Sequence, residues 1–386
     1  MKKRVLLLVL IFLLLAGLVM APSSEAKRPD VIYFASHTAG AGGYILLGLV
    51  AEAMIEKERI KVRLVPAGAD VARILMAYKG QAHCASLNSV SGWQIQEGLE
   101  EFGAEDWGPT GVRFLWQPDH VGTAMVVRGD SPIKKMEDLK GKKVAKMPGS
   151  PSVQIMNEAY LAYGGLTWQD VVPVPFSGPV AAYDGVLKQK IDSTFFNLAS
   201  SQAYELASMP CGILYLETPA SNKEGWKRLK QICPPMSPKL ATVGPDISET
   251  KPMWVATQGF PNFLTWANLD EDTAYYITKF LHECYPIYAK KHKSLALDWT
   301  IEKCLRVNAN DVVPFHKGSI RYFKEIGKWT PEREKMTEDR IAHQAKLKEL
   351  WDETTKEAKQ KGLKGKEFYK FWMAKRAKAG FWTPSE

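Results

Sequence analysis

Two kinds of segment alternate along the first 130 residues of the chain. Short apolar runs rich in β-branched and aromatic residues predict strands at residues 31–35, 61–67, 114–116 and 122–129, with a further strand that ends near Leu87. The segments ILLGLVAEAMIE and GADVARILMAYKG, which follow the first two strands, have the spacing of helices. Strands that alternate with helices predict an α/β domain with an open parallel sheet covered on both faces.

A second series of the same kind begins near residue 136. It predicts a strand at residues 143–146, a helix that stops at Gly164-Gly165, and further strands at VVPVPF, DSTFFN and CGILYLE. We therefore expect two α/β sheets, with GTAMVVRG (residues 122–129) crossing between them and the run 253–269 crossing back. The segment TAYYITKFLHECY is then expected to be a helix that returns to the first domain.

The pattern changes again at Thr330. A threonine followed by Pro331 is typical of a helix N-terminus, and the helical pattern after it is interrupted by KQKGLKGKE and resumed by EFYKFWMAKRAKAGFW. We expect an appended helical tail packed on the body. The predicted divisions are a signal peptide (1–26), a first domain in two parts (27–126 and 243–329), a second domain (127–242) and the C-terminal extension (330–386).

The N-terminal residues have the pattern of an export signal. MKKR is a basic start, residues 5–20 form a continuous apolar run, and Ser24-Glu25-Ala26 offers small residues at the two positions that a signal peptidase recognises. We expect cleavage after Ala26 and a mature chain in the periplasm. No cysteine follows the run, so a lipid anchor is not expected, and an uncleaved membrane anchor is the alternative.

The charge of the chain does not indicate nucleic acid. Lys2, Lys3, Arg4 and Glu25 leave with the signal peptide, which lowers the net charge from +9 to +7. Residues 331–386 contain fourteen basic and ten acidic residues. In an exported protein such a tail is most often a solvated helix face, and contact with anionic lipid or a membrane partner is the less common explanation. A monomer is expected.

The cysteines and histidines indicate neither a metal site nor a cofactor. Of the five cysteines, Cys84 lies in the apolar segment QAHCASL and is expected to be a buried free thiol. An oxidising compartment permits bridges such as Cys211–Cys233 or Cys284–Cys304, and the sequence does not choose between them. The motifs CxxC and HExxH are absent and the seven histidines are scattered.

The glycine-rich stretch SHTAGAGGY lies between the first predicted strand and the first helix. Bare backbone N–H groups and the positive end of a helix dipole suit an anionic group at such a turn. A Walker loop is excluded because no lysine follows Gly42 or Gly43, and a dinucleotide fingerprint because its third glycine falls on Ile45. A tight turn without a ligand is the alternative.

Four further small or polar turns follow predicted strands, at residues 67–70, 88–89, 148–152 and 197–199. Ligands of open α/β sheets collect beyond the carboxyl ends of the strands. Because these turns belong to both domains, they predict a cleft between two domains joined by crossing strands, the hinge-closing architecture of periplasmic binding proteins.

Five motifs occur in order between residues 31 and 329: TAGAGGYILLG, GADVARILMAYKGQAHCASLNS, DSPIKKMEDLKGKKVAKMPGSPS, DGVLKQKIDSTFFN and VPFHKGSIRYFKEIGKW. Together they resemble the TAXI family, the substrate-binding proteins of one type of tripartite ATP-independent periplasmic (TRAP) transporter. The resemblance implies a type II-like, two-domain periplasmic binding protein fold that captures a ligand without chemistry. It also implies a small organic acid as ligand, glutamate or 2-oxoglutarate-like, and TRAP membrane subunits as partners.

The resemblance also indicates which positions contact the ligand. By position in its motifs these are Thr38, Gly42, Tyr44, Gly68, Asp70, Arg73, Asn88, Gly149, Ser150 and Ser152, to which the turns themselves add Ala39 and Asn197. Three departures leave the ligand open: Arg73 stands where asparagine is usual, Pro151 replaces a loop glycine, and Val90 lies near a common aspartate. Arg73 is either a bidentate partner of a ligand carboxylate or, more commonly at such a position, a solvated helix residue.

Two other functions remain open. A hydrolase would use Ser150, Ser152, His37 or His316, but GSPS is not GxSxG, and isolated Ser and His residues at turns more often cap helices. We therefore expect the protein not to be an enzyme. A ligand-binding module of a periplasmic sensor would use the same cleft, and only its partner would distinguish it from a transport receptor.

Overall fold

The computed structural model describes residues 26–119, 122–306 and 312–383. The predicted signal peptide lies outside these ranges apart from Ala26, its last residue. None of the helices within them has the length and apolar content needed to cross a bilayer.

The described residues form twelve strands and fourteen α-helices. The strands are β1 (Val31–Ser36), β2 (Lys61–Pro66), β3 (Cys84–Leu87), β4 (Val112–Trp116), β5 (Thr123–Arg128), β6 (Lys143–Lys146), β7 (Val172–Pro175), β8 (Thr194–Asn197), β9 (Ile213–Leu216), β10 (Ser237–Ala241), β11 (Met253–Thr257) and β12 (Asn262–Trp266). The helices are α1 (Gly42–Glu58), α2 (Asp70–Tyr78), α3 (Ser89–Glu97), α4 (Pro151–Tyr163), α5 (Pro179–Leu187), α6 (Ser201–Ser208), α7 (Lys223–Ile232), α8 (Glu271–Glu283), α9 (Tyr285–Tyr288), α10 (Lys293–Asp298), α11 (Ile301–Cys304), α12 (Lys317–Glu325), α13 (Pro331–Gln360) and α14 (Gly365–Lys378).

The first lobe is built on a five-stranded sheet in the order β2-β1-β3-β12-β4. Strand β1 is parallel to β2 and β3, as the alternating pattern predicts, but β12 is antiparallel to both of its neighbours. The sheet is therefore mixed, because β12 enters it as the chain returns from the second lobe. Every residue of β3 and β12 is buried, so these two strands form the centre of the lobe.

The second lobe is built around β5. Strands β8, β9 and β11 all pair with β5 in antiparallel fashion, and β10 extends the sheet beyond β11. The short parallel pair of β6 and β7 joins this sheet through a bridge between Val144 and Ser193. The predicted two-domain α/β fold is thus present.

The chain does not cross between the lobes along the strand that the sequence predicts. All of β5 pairs within the second sheet, so GTAMVVRG belongs to the second lobe, and the chain crosses between β4 and β5. The return crossing lies between β11 and β12, inside the predicted run 253–269. The prediction for GTAMVVRG was wrong because an apolar run indicates a strand and not its pairing partners. The domain limits at residues 126 and 242 remain a prediction.

The helical tail is attached to the first lobe as expected. The Thr330 side chain accepts a hydrogen bond from the Arg333 N–H, and Pro331 opens α13. Helices α13 and α14 form a hairpin with its own small core. The indole of Trp372 then donates to the Gly98 carbonyl at 2.8 Å, which fixes α14 at the end of α3.

None of the five cysteines, all of which lie in the described ranges, forms a disulfide bond. Neither of the bridges that the sequence leaves open is formed. Cys84 is buried at the centre of the first sheet, as predicted, and burial raises the pKa of its thiol well above the usual range.

Candidate functional site

Loops from both lobes meet around one small cavity. The first lobe contributes the turns after β1, β2 and β3, and the second contributes α4, the start of α5 and the end of β8. The cavity has a volume of about 40 Å³, enough for about three or four water molecules at roughly 10–15 Å³ each. Its lining residues are His37, Ala41, Gly42, Gly43, Asp70, Asn88, Thr123, Val153, Met156, Pro179, Tyr183, Phe195, Asn197, Gln258 and Phe260.

The lobes are joined across this cavity by hydrogen bonds. The Ser152 hydroxyl, on α4 of the second lobe, donates to the Asp70 carboxylate on α2 of the first. The Asn88 side-chain amide donates to the Ser152 oxygen at 2.9 Å. Farther out, the Ser201 backbone N–H and hydroxyl donate to the Gly40 carbonyl at 3.2 and 2.9 Å. The structure therefore holds the two lobes in a closed arrangement.

At Gly42 the backbone of the first lobe packs closely against the second lobe. A Cβ atom on Gly42 would lie 3.0 Å from Asn197 Oδ1 and 3.1 Å from the carbonyl carbon of Ala199, both on the second lobe. A side chain at this position would therefore hold the lobes apart.

Arg73 is not the solvated helix residue that was the commoner expectation. It is 1% exposed and pairs with Asp70 at 2.5 Å. It also donates to the carbonyls of Ala67 and Gly68 at 2.7 and 3.2 Å. Burial lowers the pKa of Arg73, and the charge of Asp70 opposes this effect. In the closed arrangement Arg73 positions Asp70 and the turn after β2, and it is not among the residues that line the cavity.

Near the cavity, His37 Nδ1 and the Ser150 hydroxyl are buried and have no hydrogen-bond partner among the described residues. Burial, together with the charge of Arg73, holds the pKa of His37 well below its usual range, so the imidazole is neutral at pH 7. Among the described residues that line the cavity, Asp70 is then the one with a formal charge, and Arg73 balances it.

Four helices that begin at the cavity lack a side-chain N-cap, whereas α3, which also begins there, is capped by Asn88. Helices α3, α6, α7, α8, α12 and α13 each begin with a side chain that accepts a hydrogen bond from the first turn. Helices α1, α2, α4 and α5 have no such side-chain cap among the described residues; their N-caps are Ala41, Ala69, Ser150 and Gly178. The first residues of α4 and α5 are prolines and have no N–H, but the other N–H groups of these first turns and the positive ends of the dipoles are available to a ligand that accepts hydrogen bonds.

The structure brings some of the predicted site residues together and leaves others at the margin. Gly42, Asp70, Asn88 and Asn197 line the cavity, and Ser152 bridges two of them. The other predicted residues do not line it; Ala39 is exposed, and Thr38 and Tyr44 are half-buried. A Cβ on Gly149 would meet Ala69, and the Gly68 carbonyl faces Gly178, so both belong to the contact between the lobes.

Sequence reasoning missed several lining residues: Thr123, Tyr183, Gln258 and Phe260. Thr123 follows the first crossing, and Gln258 and Phe260 lie in the second. Their positions depend on where the chain crosses between sheets, which the apolar pattern does not locate. Tyr183 lies on α5 and packs on Phe196 of the second sheet, with 4.3 Å between ring centroids.

The residues that a hydrolase would use are not arranged as a nucleophile and a base. The Ser152 hydroxyl donates to Asp70, and His316 caps α12 by accepting from the Gly318 N–H at 3.1 Å. Within the described ranges, no group of three His, Cys, Asp or Glu side chains is placed to hold a metal ion.

Comparison with known proteins adds a family. The sequence model of the NMT1-like family matches residues 37–327, which is most of the chain. The structure is similar to that of the alkanesulfonate-binding protein SsuA from Xanthomonas axonopodis pv. citri bound to MOPS, with 13% identity, a TM-score of 0.46, and coverage of 89% of this chain and 96% of that one. It is also similar to PhnD1 from Prochlorococcus marinus in complex with methylphosphonate, with 13% identity, a TM-score of 0.44, and coverage of 78% and 100%.

Proposed function

The chain belongs to the NMT1-like family, and from this premise we propose that it is an extracytoplasmic solute receptor without enzymatic activity. It captures a small organic acid, glutamate or a 2-oxoglutarate-like compound, between its two lobes. The observation that carries the proposal is the contact of Asp70, Asn88 and Ser152 across the lobes, beside a cavity at which four uncapped helices begin.

The uncapped helix N-termini are the reason to expect an acid as the ligand. Of the described residues that line the cavity none is a lysine or an arginine, so a carboxylate would be held by main-chain N–H groups and helix dipoles. Each such end favours an anion by about 0.3–1 kcal/mol, and more where water is excluded. Neutral His37, Asn88, Asn197 and Gln258 supply further hydrogen bonds without adding charge.

The closure of the two lobes explains how the site would bind a solute. Each lobe contributes only a few short loops, so neither can enclose a solute alone. Movement about the two crossing segments would admit the acid, and closure would complete its hydrogen bonds. The closed form is then what a membrane carrier recognises, and the five motifs that resemble those of the TAXI family favour a carrier of the TRAP type.

Mass spectrometry of small molecules released from the purified, denatured chain tests the ligand class directly. Calorimetry with glutamate, 2-oxoglutarate and the neutral amide glutamine then compares acids with a matched neutral compound. We expect an organic acid among the released molecules and clear preference for one of the acids. Preference for glutamine, or failure to find or bind any acid, would contradict the proposal.

A pair of asparagine variants tests the location. Asn88 and Asn222 both cap helices, accepting from Ser91 and Gly225 at 2.8 and 2.9 Å, but only Asn88 lines the cavity. Replacing either by alanine removes a cap worth about 1 kcal/mol. Only Asn88→Ala should weaken acid binding; equal affinities in the two variants would place the site elsewhere.

A further inference from the structure

The C-terminal tail presents a basic surface on a rigid support. The basic hairpin, residues 356–378, comprises the end of α13, the turn at Gly362 and α14. Arg376 is fully buried and donates to the Glu97 carboxylate and carbonyl at 2.8 and 2.6 Å. The Gly365 N–H donates to the Glu105 carboxylate at 2.7 Å. The hairpin is thus fixed to the first lobe at both ends of α14.

Charge is distributed unevenly along the tail. Residues 356–378 contain eight lysines, Arg376 and two glutamates, whereas residues 331–355 contain five basic and seven acidic residues. The positive charge of the extension is therefore concentrated in the basic hairpin. A solvated helix face with interspersed signs would not require this separation.

Most of these lysines have no carboxylate partner. Glu357 pairs with Lys361 and Lys375, and Glu367 pairs with Lys370. Among the described residues, no ion pair is formed by Lys356, Lys359, Lys364, Lys366 or Lys378, and all five are exposed. The two lysines on Glu357 lower the pKa of that carboxyl to about 2, as expected where cations are concentrated.

None of the aromatic residues of the hairpin is exposed; Tyr369 and Phe371 are half-buried. Phe368 and Trp372 are buried in the small core with Trp351. Proteins that bind single-stranded nucleic acid combine basic side chains with exposed aromatic rings on which bases stack. The basic hairpin offers charge alone, which fits a surface of closely spaced anions. This step rests on the proposed function: for an exported receptor that delivers its ligand to a membrane carrier, the adjacent surface of this kind is the bilayer.

We propose that the basic hairpin docks the protein on the surface of a membrane that contains anionic phospholipids. The lysines act as separate electrostatic contacts with the headgroups, without insertion of the chain into the bilayer. Binding should therefore be weak, reversible and sensitive to salt, because exposed charges are screened over about 10 Å at 0.1 M ionic strength. Its effect would be to hold the receptor near its carrier.

Sedimentation with lipid vesicles tests this with the mature full-length chain and no solute. Vesicles of phosphatidylcholine alone are compared with vesicles that also contain phosphatidylglycerol, at low and high salt. The test variant replaces three hairpin lysines by glutamine, and a control variant of equal net charge replaces three exposed lysines that form no ion pair elsewhere in the described structure. The test set is Lys359, Lys364 and Lys366; the control set is Lys79, Lys190 and Lys223.

We expect binding to the anionic vesicles at low salt, loss of at least about tenfold in affinity for the hairpin variant, and no comparable loss for the control. Equal losses in both variants would show a response to net charge only and would overturn the proposal, as would no binding to anionic vesicles. Because no solute is present, either result leaves the receptor function untouched.

Discussion

Removing Arg73 should destabilise the first lobe by several kcal/mol, although an arginine in the first turn of a helix is usually solvated. Its guanidinium makes one ion pair and two hydrogen bonds to carbonyls, all at a site that is 1% exposed. Arg73→Leu would leave Asp70 buried with only the Ser152 hydroxyl and Asn88 nearby. Breaking a buried pair from one side costs about 3–5 kcal/mol, and we expect Arg73→Leu to lower the free energy of unfolding by that amount.

The double variant Asp70→Leu/Arg73→Leu is the decisive control. Removing both charges removes the uncompensated carboxylate, so the double variant should recover much of the loss and lie within about 2 kcal/mol of the unchanged chain. Urea denaturation measures each free energy, and an unchanged slope shows that the unfolding reaction is the same. A loss below about 1 kcal/mol for Arg73→Leu, or additive losses in the double variant, would refute the reasoning.

Three further predictions concern the cleft, the pH dependence and the N-terminus. Gly42→Val should weaken acid binding at least tenfold, about 1.4 kcal/mol, because the added side chain holds the lobes apart. Gly48→Ala, on the same helix, adds a Cβ that meets no atom within 4 Å, so this variant should bind the acid normally in calorimetry. Equal affinities of the two variants would count against closure. Burial lowers the pKa of His316 to about 4, so below its ordinary value the unfolded chain takes up a proton that the folded chain does not. The free energy of unfolding should therefore fall by on the order of 3 kcal/mol as pH drops from 7 to 4. His316→Asn, which retains a capping acceptor, should reduce this dependence on pH. Identical pH profiles of the two proteins in urea unfolding would exclude this role of His316. Sequencing of the exported protein should begin at Lys27, whose backbone nitrogen lies 2.8 Å from Asp272 and would form an ion pair as a new N-terminus; an intact Met1 would contradict cleavage.

Local pattern was enough to predict most of the elements and the turns that reach the cleft. Strands β1, β2 and β6 lie almost where their apolar runs indicate, and the turn before Gly42 does begin α1. These features depend on residues close in sequence. The pairing of strands depends on residues far apart in sequence. Strand β5 pairs with three strands that come much later in the chain, and β12 is antiparallel to its neighbours in the first sheet. The segment 223–241, which forms α7 and β10, was not predicted at all.

The environment of Arg73 shows the same limit within the site. Asp70 and Arg73 are three residues apart on a helix, a spacing at which opposite charges meet, so the pair itself was available from the sequence. Its burial was not, because the pair is in contact with residues distant in sequence, such as Ser152 of the second lobe, which donates to Asp70. The same holds for Thr123, Gln258 and Phe260, which reach the cavity only because the chain crosses beside it.

Small-angle scattering, with and without saturating acid identified by release from the purified protein, tests the central claim most directly. The account predicts a smaller radius of gyration with the acid bound, because the lobes close around the acid, and recovery of the acid unaltered after long incubation. An unchanged radius of gyration at saturation, or a chemically altered acid, would contradict it.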